Sequence, residues 1–154
     1  MSRRVVVIGI GNEFRRDDGI GPAVAAELAD RPGMRVRVCQ EEPAALLDAW
    51  DGAALAVVID AADGGEPGRV RTCSLDDFAQ AAPVSSHDLG LRQSYELGRA
   101  LGRAPESVAV VTVDVADTGH GRGLSPPVAA ALPEAVRAVL IALEQSQESA
   151  HQHP

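Results

Sequence analysis

At 154 residues, 45% of them hydrophobic, the chain is long enough to bury one core and too short for two domains of ordinary size. Acidic residues outnumber basic ones by 22 to 14, so the net charge of −8 has the wrong sign for binding along a nucleic-acid backbone. Aromatic residues make up only 3%, which predicts an aliphatic core and little stacking on ligands.

The two cysteines and the hydropathy of the chain bear on its location. Cys39 and Cys73 stand in strand-like runs rather than in C-x-x-C spacing, which favours reduced, half-buried thiols over a disulfide. No apolar stretch approaches the roughly 20 residues of a membrane span, and no cleavage site for export follows the first apolar run. We therefore expect a cytoplasmic protein whose partners include neither nucleic acid nor membrane.

The first sixty residues alternate strand-like and helix-like segments. Three apolar runs of strand length predict β-strands: RRVVVIGIG, MRVRVCQ and ALAVVIDAA, the last ending on Asp60. Between them, GIGPAVAAELADR predicts a helix that tolerates Pro22 in its first turn, and PAALLDAWDG predicts a short helix closed by Gly52. This order is typical of parallel strands joined by helices.

The remainder of the chain continues the alternation. GRVRTCSL predicts an edge strand, because its apolar residues alternate with charged ones. SSHDLGLRQSYELGRALGR predicts a helix with Ser85 or Ser86 as its cap and His87 in its first turn. SVAVVTVDV predicts a last buried strand, and Ser125 is expected to cap a final helix that Pro133 kinks.

The pattern as a whole predicts an α/β fold, with a single three-layer domain built on a twisted, mostly parallel sheet with helices on both faces. We place this domain at residues 1–145, since no repeat or linker interrupts the alternation. Residues 146–154, SQESAHQHP, are polar and have little to pack against, so a disordered tail is expected there.

Three donor side chains fall where open parallel sheets bind ligands, beyond the carboxyl ends of the strands. Asp18 follows the first strand, Asp60 ends the third, and His87 opens the helix before the last strand. Two carboxylates and an imidazole suit nickel, zinc or iron, with positions left open for substrate. Structural roles are also possible, because Asp17 or Asp18 can cap the first helix and His87 can be solvated. Asp60 is harder to explain that way, since a buried carboxylate needs a partner.

Other motifs carry less chemistry. The first loop begins like a dinucleotide-binding G-x-G-x-x-G, but its third glycine position holds Phe14 and the loop then turns acidic. No P-loop motif occurs, and SSHD lacks the G-x-S-x-G turn of a serine hydrolase. His120, after the last strand, is either a substrate-loop residue or solvated. Glu41 and Glu42, after the second strand, either contact a basic partner segment or form a solvated turn.

Three segments, in this order and at these separations, closely resemble the hydrogenase maturation endopeptidases: GIGNEFRRDDGIGPAV, AVVIDAADGGEPG and SSHDLGL. The similarity continues through VAVVTVDVADTGHGRGLSPPVAAALPEAV and covers nearly the whole chain except the tail. This family processes the large subunit of nickel-iron hydrogenases. The resemblance implies a hydrolase, an endopeptidase of aspartic type, that removes a short C-terminal extension from the precursor once nickel has been inserted.

The resemblance also assigns residues and a partner. The family's metal-contacting positions carry over to Asp18, Asp60 and His87, which would meet a nickel ion carried by the large-subunit precursor. Either water near the ion attacks the scissile bond, or these residues only dock the metal and cleavage depends on positioning within the complex. The alternative function is a non-catalytic, metal-dependent docking module or a degenerate homologue that binds a hydrogenase subunit.

The chain departs from the family in the turn after the second strand. Many members have a glycine-rich turn there, whereas this chain has QEEPAALL, which includes Glu41 and Glu42. That turn is expected to contribute to substrate choice. The departure therefore leaves open which hydrogenase is processed, without affecting the three metal-contacting positions.

Overall fold

In the part of the chain that the computed structural model describes, five strands form one sheet. The structure describes residues 4–40, 42–81 and 86–152, with all side chains except those of 79–81, 86–89 and 146–152. The strands are β1 (Val5–Ile10), β2 (Arg35–Cys39), β3 (Leu55–Ala62), β4 (Val70–Ser74) and β5 (Ser107–Asp114). Their order is β2-β1-β3-β5-β4, with β4 antiparallel to β5 and the other neighbours parallel. The predicted α/β fold is confirmed.

The helices follow the prediction with one addition. They are α1 (Ile20–Leu28), α2 (Pro43–Trp50), α3 (Leu75–Ala81), α4 (Ser86–Ala100) and α5 (Pro126–Gln152). Helix α3 was not expected, because its seven residues are too few for a helical period to stand out. Its start does carry a recognisable cap, since the Ser74 hydroxyl accepts the Asp77 N–H at 3.2 Å.

Position in the sheet explains the composition of the strands. Strands β1 and β3 have neighbours on both sides, and their apolar side chains are buried on both faces. Strands β2 and β4 lie at the two edges, and all of their residues are exposed or half-buried. Gly9 of β1 lies opposite Ile59 of β3, so the carboxyl ends of these two strands sit side by side. The chain leaves β1 for β2 on one side and reaches β3 on the other, which makes this junction the topological switch point.

Two hydrophobic cores, one on each face of the sheet, hold the layers together. On one face, α1 and α5 pack against the sheet through residues such as Ile20, Val24 and Val139. On the other face, α2, α3 and α4 contribute Leu46, Trp50, Phe78 and Leu91. Burying a side chain of this size contributes about 1.5–3 kcal/mol, so the two aliphatic layers supply most of the driving force for folding.

Some predicted boundaries move. Strand β3 continues to Ala62, two residues beyond Asp60. Ser86 lies inside α4, while Ser85, the other proposed cap, falls outside the described residues. Helix α5 runs through Pro133 and continues to Gln152, so no helix end marks the expected boundary at residue 145.

Helix α5 corrects one expectation about hydropathy. Its stretch Pro126–Gln145 is long and apolar enough, by length and composition, to cross a membrane, so the view that no stretch approaches that limit was wrong. A single such helix is weak evidence, because the core helix of a globular domain passes the same test. Val128, Ala135 and Val139 of this helix are fully buried in the core that covers one face of the sheet.

Two glycines let α1 begin against the ends of the central strands. A side-chain carbon at Gly21 would overlap the carbonyl oxygen of Ile10 and lie 2.9 Å from that of Ile59. One at Gly9 would overlap the carbonyl oxygen of Gly21. The start of α1, and with it the turn before α1, is therefore pressed against the switch point.

The close approach of α1 to the strand ends predicts that Gly21→Ala lowers the free energy of unfolding substantially. The added methyl group must push α1 away from β1 and β3, so we expect a loss of about 1–3 kcal/mol of unfolding free energy, measured by urea denaturation. Gly119→Ala is the matched control, because its nearest neighbour would be the exposed Asp117 carboxylate at 3.1 Å, which can move aside. Equal stabilities for the two variants would contradict the close packing.

Candidate functional site

The candidate site is built on the turn that connects β1 to α1. A short 3-10 segment, Arg16–Gly19, carries Asp17 and Asp18, and both side chains are buried. Successive residues of a 3-10 turn point about 120° apart, so the two carboxylates face different surroundings. Asp17 faces the loop after β5, and Asp18 faces open space at the switch point.

Asp18 is held in place by the loop that it closes. Its Oδ2 accepts the N–H of Asn12 at 2.9 Å, and 7% of the residue is exposed. The carbonyl group of Asp18 sits where a side chain on Gly11 would have to be, and Gly11 has a φ of 148°. Glycine at this position therefore lets the loop fold tightly over Asp18.

Two open cavities meet at Asp18. The larger, about 210 Å³, is lined by Ile10, Gly11, Asn12, Arg15, Asp18, Gln40 and Glu42. The smaller, about 70 Å³, is lined by Arg15, Asp18, Ala61, Asp63 and Thr118. Asp18 and Arg15 are common to both, so a ligand in either cavity would meet this carboxylate and this guanidinium.

Asp60 lies near the end of β3, where the sequence placed it. It is 1% exposed, and its Oδ1 accepts the N–H of Ala61 at 2.9 Å. Its charge also reaches the Cys39 thiol at the end of β2. Burial, with a further contribution from the Asp60 carboxylate, raises the pKa of that thiol to about 11. Cys39 is therefore a neutral, unreactive thiol at neutral pH rather than a nucleophile.

His87 is the third predicted donor. It falls in the first turn of α4, as expected, but its side chain lies outside the described residues. Among the side chains that the structure does describe, no three of His, Cys, Asp or Glu gather closely enough to hold a metal ion. The predicted set of Asp18, Asp60 and His87 therefore stays a prediction, with Asp18 and the residues that follow Asp60 lining one cavity.

Asp17 has a structural role that the sequence did not reveal. Its Oδ2 accepts the N–H groups of Ala116 and Asp117, both at 2.9 Å, and the Ser125 hydroxyl at 2.8 Å. Its Oδ1 accepts the N–H of Ser125 at 2.6 Å. These four hydrogen bonds tie the turn after β1 to the loop between β5 and α5. We call this set of bonds the Asp17 clamp.

The clamp changes the acidity of Asp17. Burial by itself would raise its pKa, but the donors of Ser125, Asp117 and Ala116 outweigh burial and hold the pKa below its ordinary value of 3.8. Asp17 is therefore ionised at neutral pH. The Ser125 hydroxyl, expected to cap α5, donates to this carboxylate.

Backbone contacts extend the connection between the two loops. Arg16, whose φ is 47°, donates its N–H to the carbonyl of Gly121, and Gly121 donates its N–H to the carbonyl of Phe14, both at 2.9 Å. Arg122 lies 3.3 Å from the Glu13 carboxylate, with its guanidinium 4.8 Å from the Phe14 ring centre. The loop between β5 and α5 is thereby held beside the first loop and forms one wall of the site.

The weaker candidates have mixed outcomes. His120 is exposed in this loop, and its carbonyl accepts the Arg16 Nε–H at 3.3 Å. Glu42 precedes α2 and lines the larger cavity, next to Gln40. Glu41 lies outside the described residues.

A further buried carboxylate, Asp114 at the end of β5, is satisfied structurally. Arg71 of β4 approaches both of its carboxylate oxygens at 3.0 Å. A side-chain carbon on Gly65 would overlap the same carboxylate, so the turn after β3 is packed directly on it. Asp114 thus anchors the edge strand β4 and lines neither of the two cavities at Asp18.

Comparisons with known proteins agree with this architecture. The hydrogenase maturation protease family model matches residues 42–142. The hydrogenase expression/formation protein HupD of Rhodobacter capsulatus is 30% identical over 149 residues, covering 87% of this chain and 70% of that protein. HupD of Bradyrhizobium diazoefficiens is 29% identical over 134 residues, covering 81% and 70%.

Solved structures extend the likeness to the fold. The hydrogenase maturating endopeptidase HybD from E. coli superposes with a TM-score of 0.82 at 24% identity, covering 93% of each chain. The [NiFe] hydrogenase maturation protease HybD from Thermococcus kodakarensis gives a TM-score of 0.77 at 26% identity, covering 90% of this chain and 98% of that one. The shared fold therefore covers nine-tenths or more of this chain.

The Asp17 clamp predicts a pH-dependent loss of stability in Asp17→Asn. An amide has one acceptor oxygen for four donors, so buried N–H groups lose their partner and we expect about 2–3 kcal/mol less stability at pH 7. Because the folded-state pKa of Asp17 is lowered, its ionic contribution is complete above the ordinary value of 3.8 and is lost as the pH falls below it. The gap to wild type should therefore narrow in acid.

Urea unfolding at a series of pH values measures this gap. Asp48→Asn is the control, because the Asp48 carboxylate is 87% exposed and its ion pair with Arg103 is long, at 3.5 Å. A pH-independent gap, or a loss no larger than that of Asp48→Asn, would contradict the clamp.

Proposed function

The chain belongs to the hydrogenase maturation protease family and is a peptidase, and from that premise we propose that it cleaves a C-terminal extension from a nickel-loaded large-subunit precursor. The observation that carries the proposal is the pair of buried carboxylates, Asp18 and Asp60, at the switch point of the sheet. Ligands of open α/β sheets bind at that place. The relatives named for hydrogenase maturation have the same fold over nearly the whole chain.

Nickel enters this proposal as part of the substrate. Carboxylate oxygens and an imidazole are suitable ligands for a divalent nickel ion, and Asp18, Asp60 and His87 offer that set from three separate elements. Asp18 lines two cavities that open at the surface, so an ion held in another protein can reach it without a preformed cage. Precursor without nickel would lack this contact and bind less productively.

The bond-breaking step is hydrolysis. The oxygen of one water adds to the carbonyl carbon of the scissile peptide bond, the C–N bond breaks, and the leaving nitrogen takes up a proton. A carboxylate at this edge accepts the proton from the attacking water and returns it to the leaving amine. The assignment as an aspartic-type endopeptidase rests on Asp18 and Asp60 acting in this way.

We also place the reaction in the cytoplasm. Cys39 and Cys73 are both free thiols, as expected in a reducing compartment. Burial and the charge of Asp60 keep Cys39 protonated, so neither a disulfide nor a cysteine nucleophile is part of the proposal.

The proposal predicts that Asp60→Asn and Asp18→Asn fold but fail to process precursor. Each change removes one negative charge and one metal-binding oxygen while keeping the side-chain shape, so we expect cleavage to fall by about 100-fold or more. The measurement is intact mass of nickel-loaded precursor after incubation with each protein. Circular dichroism and urea unfolding check the fold.

Asp30→Asn serves as the matched control. Asp30 is exposed beyond the end of α1, on the side of the sheet where the parallel strands begin, away from the site. It should process precursor like wild type. Full activity of Asp60→Asn would remove that residue from the mechanism. Binding of precursor without cleavage by the wild type would favour the docking-module alternative, and unfolding of Asp60→Asn would favour a structural role for that carboxylate.

A further inference from the structure

The two consecutive arginines of the first loop have different surroundings. Arg16 faces the loop after β5, where its Nε donates to the His120 carbonyl and lies 3.6 Å from the Asp117 carboxylate. It lines neither of the two cavities at Asp18. Arg15 lines both of them. Only one bond of its side chain is seen among the described residues, from Nε to the carbonyl of Thr118 at 3.2 Å.

The charges around Arg15 are otherwise negative. The remaining charged residues that line the two cavities are Asp18, Glu42 and Asp63. Among the side chains that the structure describes, Arg15 forms no ion pair with any carboxylate, whereas Arg16 does. The Arg15 guanidinium is thus positioned beside the candidate site with donors available to a ligand.

A purely structural role for Arg15 is small by comparison. The backbone already joins the two loops through Arg16 and Gly121, and the Asp17 clamp adds four further bonds. A single exposed hydrogen bond from Nε to a carbonyl adds little to this connection. It does, however, fix the direction of the guanidinium.

We propose that Arg15 binds the carbonyl oxygen of the scissile peptide bond and stabilises the negative charge that forms on it. The inference rests on the proposed function, since it concerns the same cavities. Attack of water on a peptide carbonyl places negative charge on its oxygen, and carboxylates at the site would oppose that charge. A guanidinium stabilises it, because it carries a permanent positive charge and several N–H donors in one plane.

The test separates substrate binding from the chemical step. Nickel-loaded precursor is titrated with wild type, Arg15→Ala and Arg15→Lys, giving a binding constant for each and a cleavage rate at saturation. We expect Arg15→Ala to lower the saturated rate by about 100-fold with much less effect on binding. Arg15→Lys should recover part of the loss, since it keeps the charge but not the planar donors.

Arg16→Asn is the matched control, because it removes the neighbouring guanidinium and its contact with the same loop, while asparagine tolerates the left-handed φ of Arg16. It should cleave within about fivefold of wild type, as expected for the loss of an exposed ion pair. Arg99→Ala, on the exposed last turn of α4, checks for a general charge effect.

Several outcomes would overturn the inference. A wild-type saturated rate in Arg15→Ala would do so, and so would a loss equal to that of Arg16→Asn or one that parallels a fall in melting temperature. A wild-type protein that cleaves no nickel-loaded precursor would overturn the proposed function together with this inference. Cleavage by wild type and equally by Arg15→Ala would overturn the role of Arg15 alone.

Discussion

The site depends on the hydrogen bonds that the buried carboxylate of Asp17 accepts. This carboxylate accepts four hydrogen bonds from a loop about one hundred residues later in the chain. These bonds join the turn after β1 to the loop after β5 at the carboxyl ends of the strands. A buried charge is tolerated only when it is well satisfied, and here the donors are numerous enough to keep the pKa of Asp17 low. Without this clamp, the two loops would be held together mainly by the backbone bonds of Arg16, Asp17 and Gly121 and by exposed side-chain contacts.

Two adjacent residues of one type therefore serve different purposes. Asp17 directs its oxygens to donors within the protein, whereas Asp18 accepts the N–H of Asn12 and borders two open cavities. The 3-10 turn points the two carboxylates in different directions. Glycines at the start of α1 and in β1 allow that turn to lie directly against the strand ends. Packing, local backbone geometry and charge thus combine to offer one carboxylate to a ligand while the other holds the loops together.

Much of this arrangement could be predicted from the sequence, for physical reasons. Continuous apolar runs identify buried parallel strands, and the strand ends then place Asp18 and Asp60 at one edge. The separate role of Asp17 could not be predicted, because its partners lie about one hundred residues away and include backbone N–H groups that have no sequence signature. Helix α3 was too short to show a period. Arg15 was not singled out because only the folded loop shows that its neighbour is occupied elsewhere.

The proposed function requires that the carboxylates of this site touch a nickel ion that belongs to the substrate. X-ray absorption at the nickel edge tests it most directly, on nickel-loaded precursor alone and after freeze-quenching with the protein before cleavage. Wild-type protein should add oxygen ligands to the nickel, whereas the double variant Asp18→Asn with Asp60→Asn should bind the precursor without adding them. Identical nickel spectra with and without bound wild-type protein would show that the carboxylates do not touch the nickel.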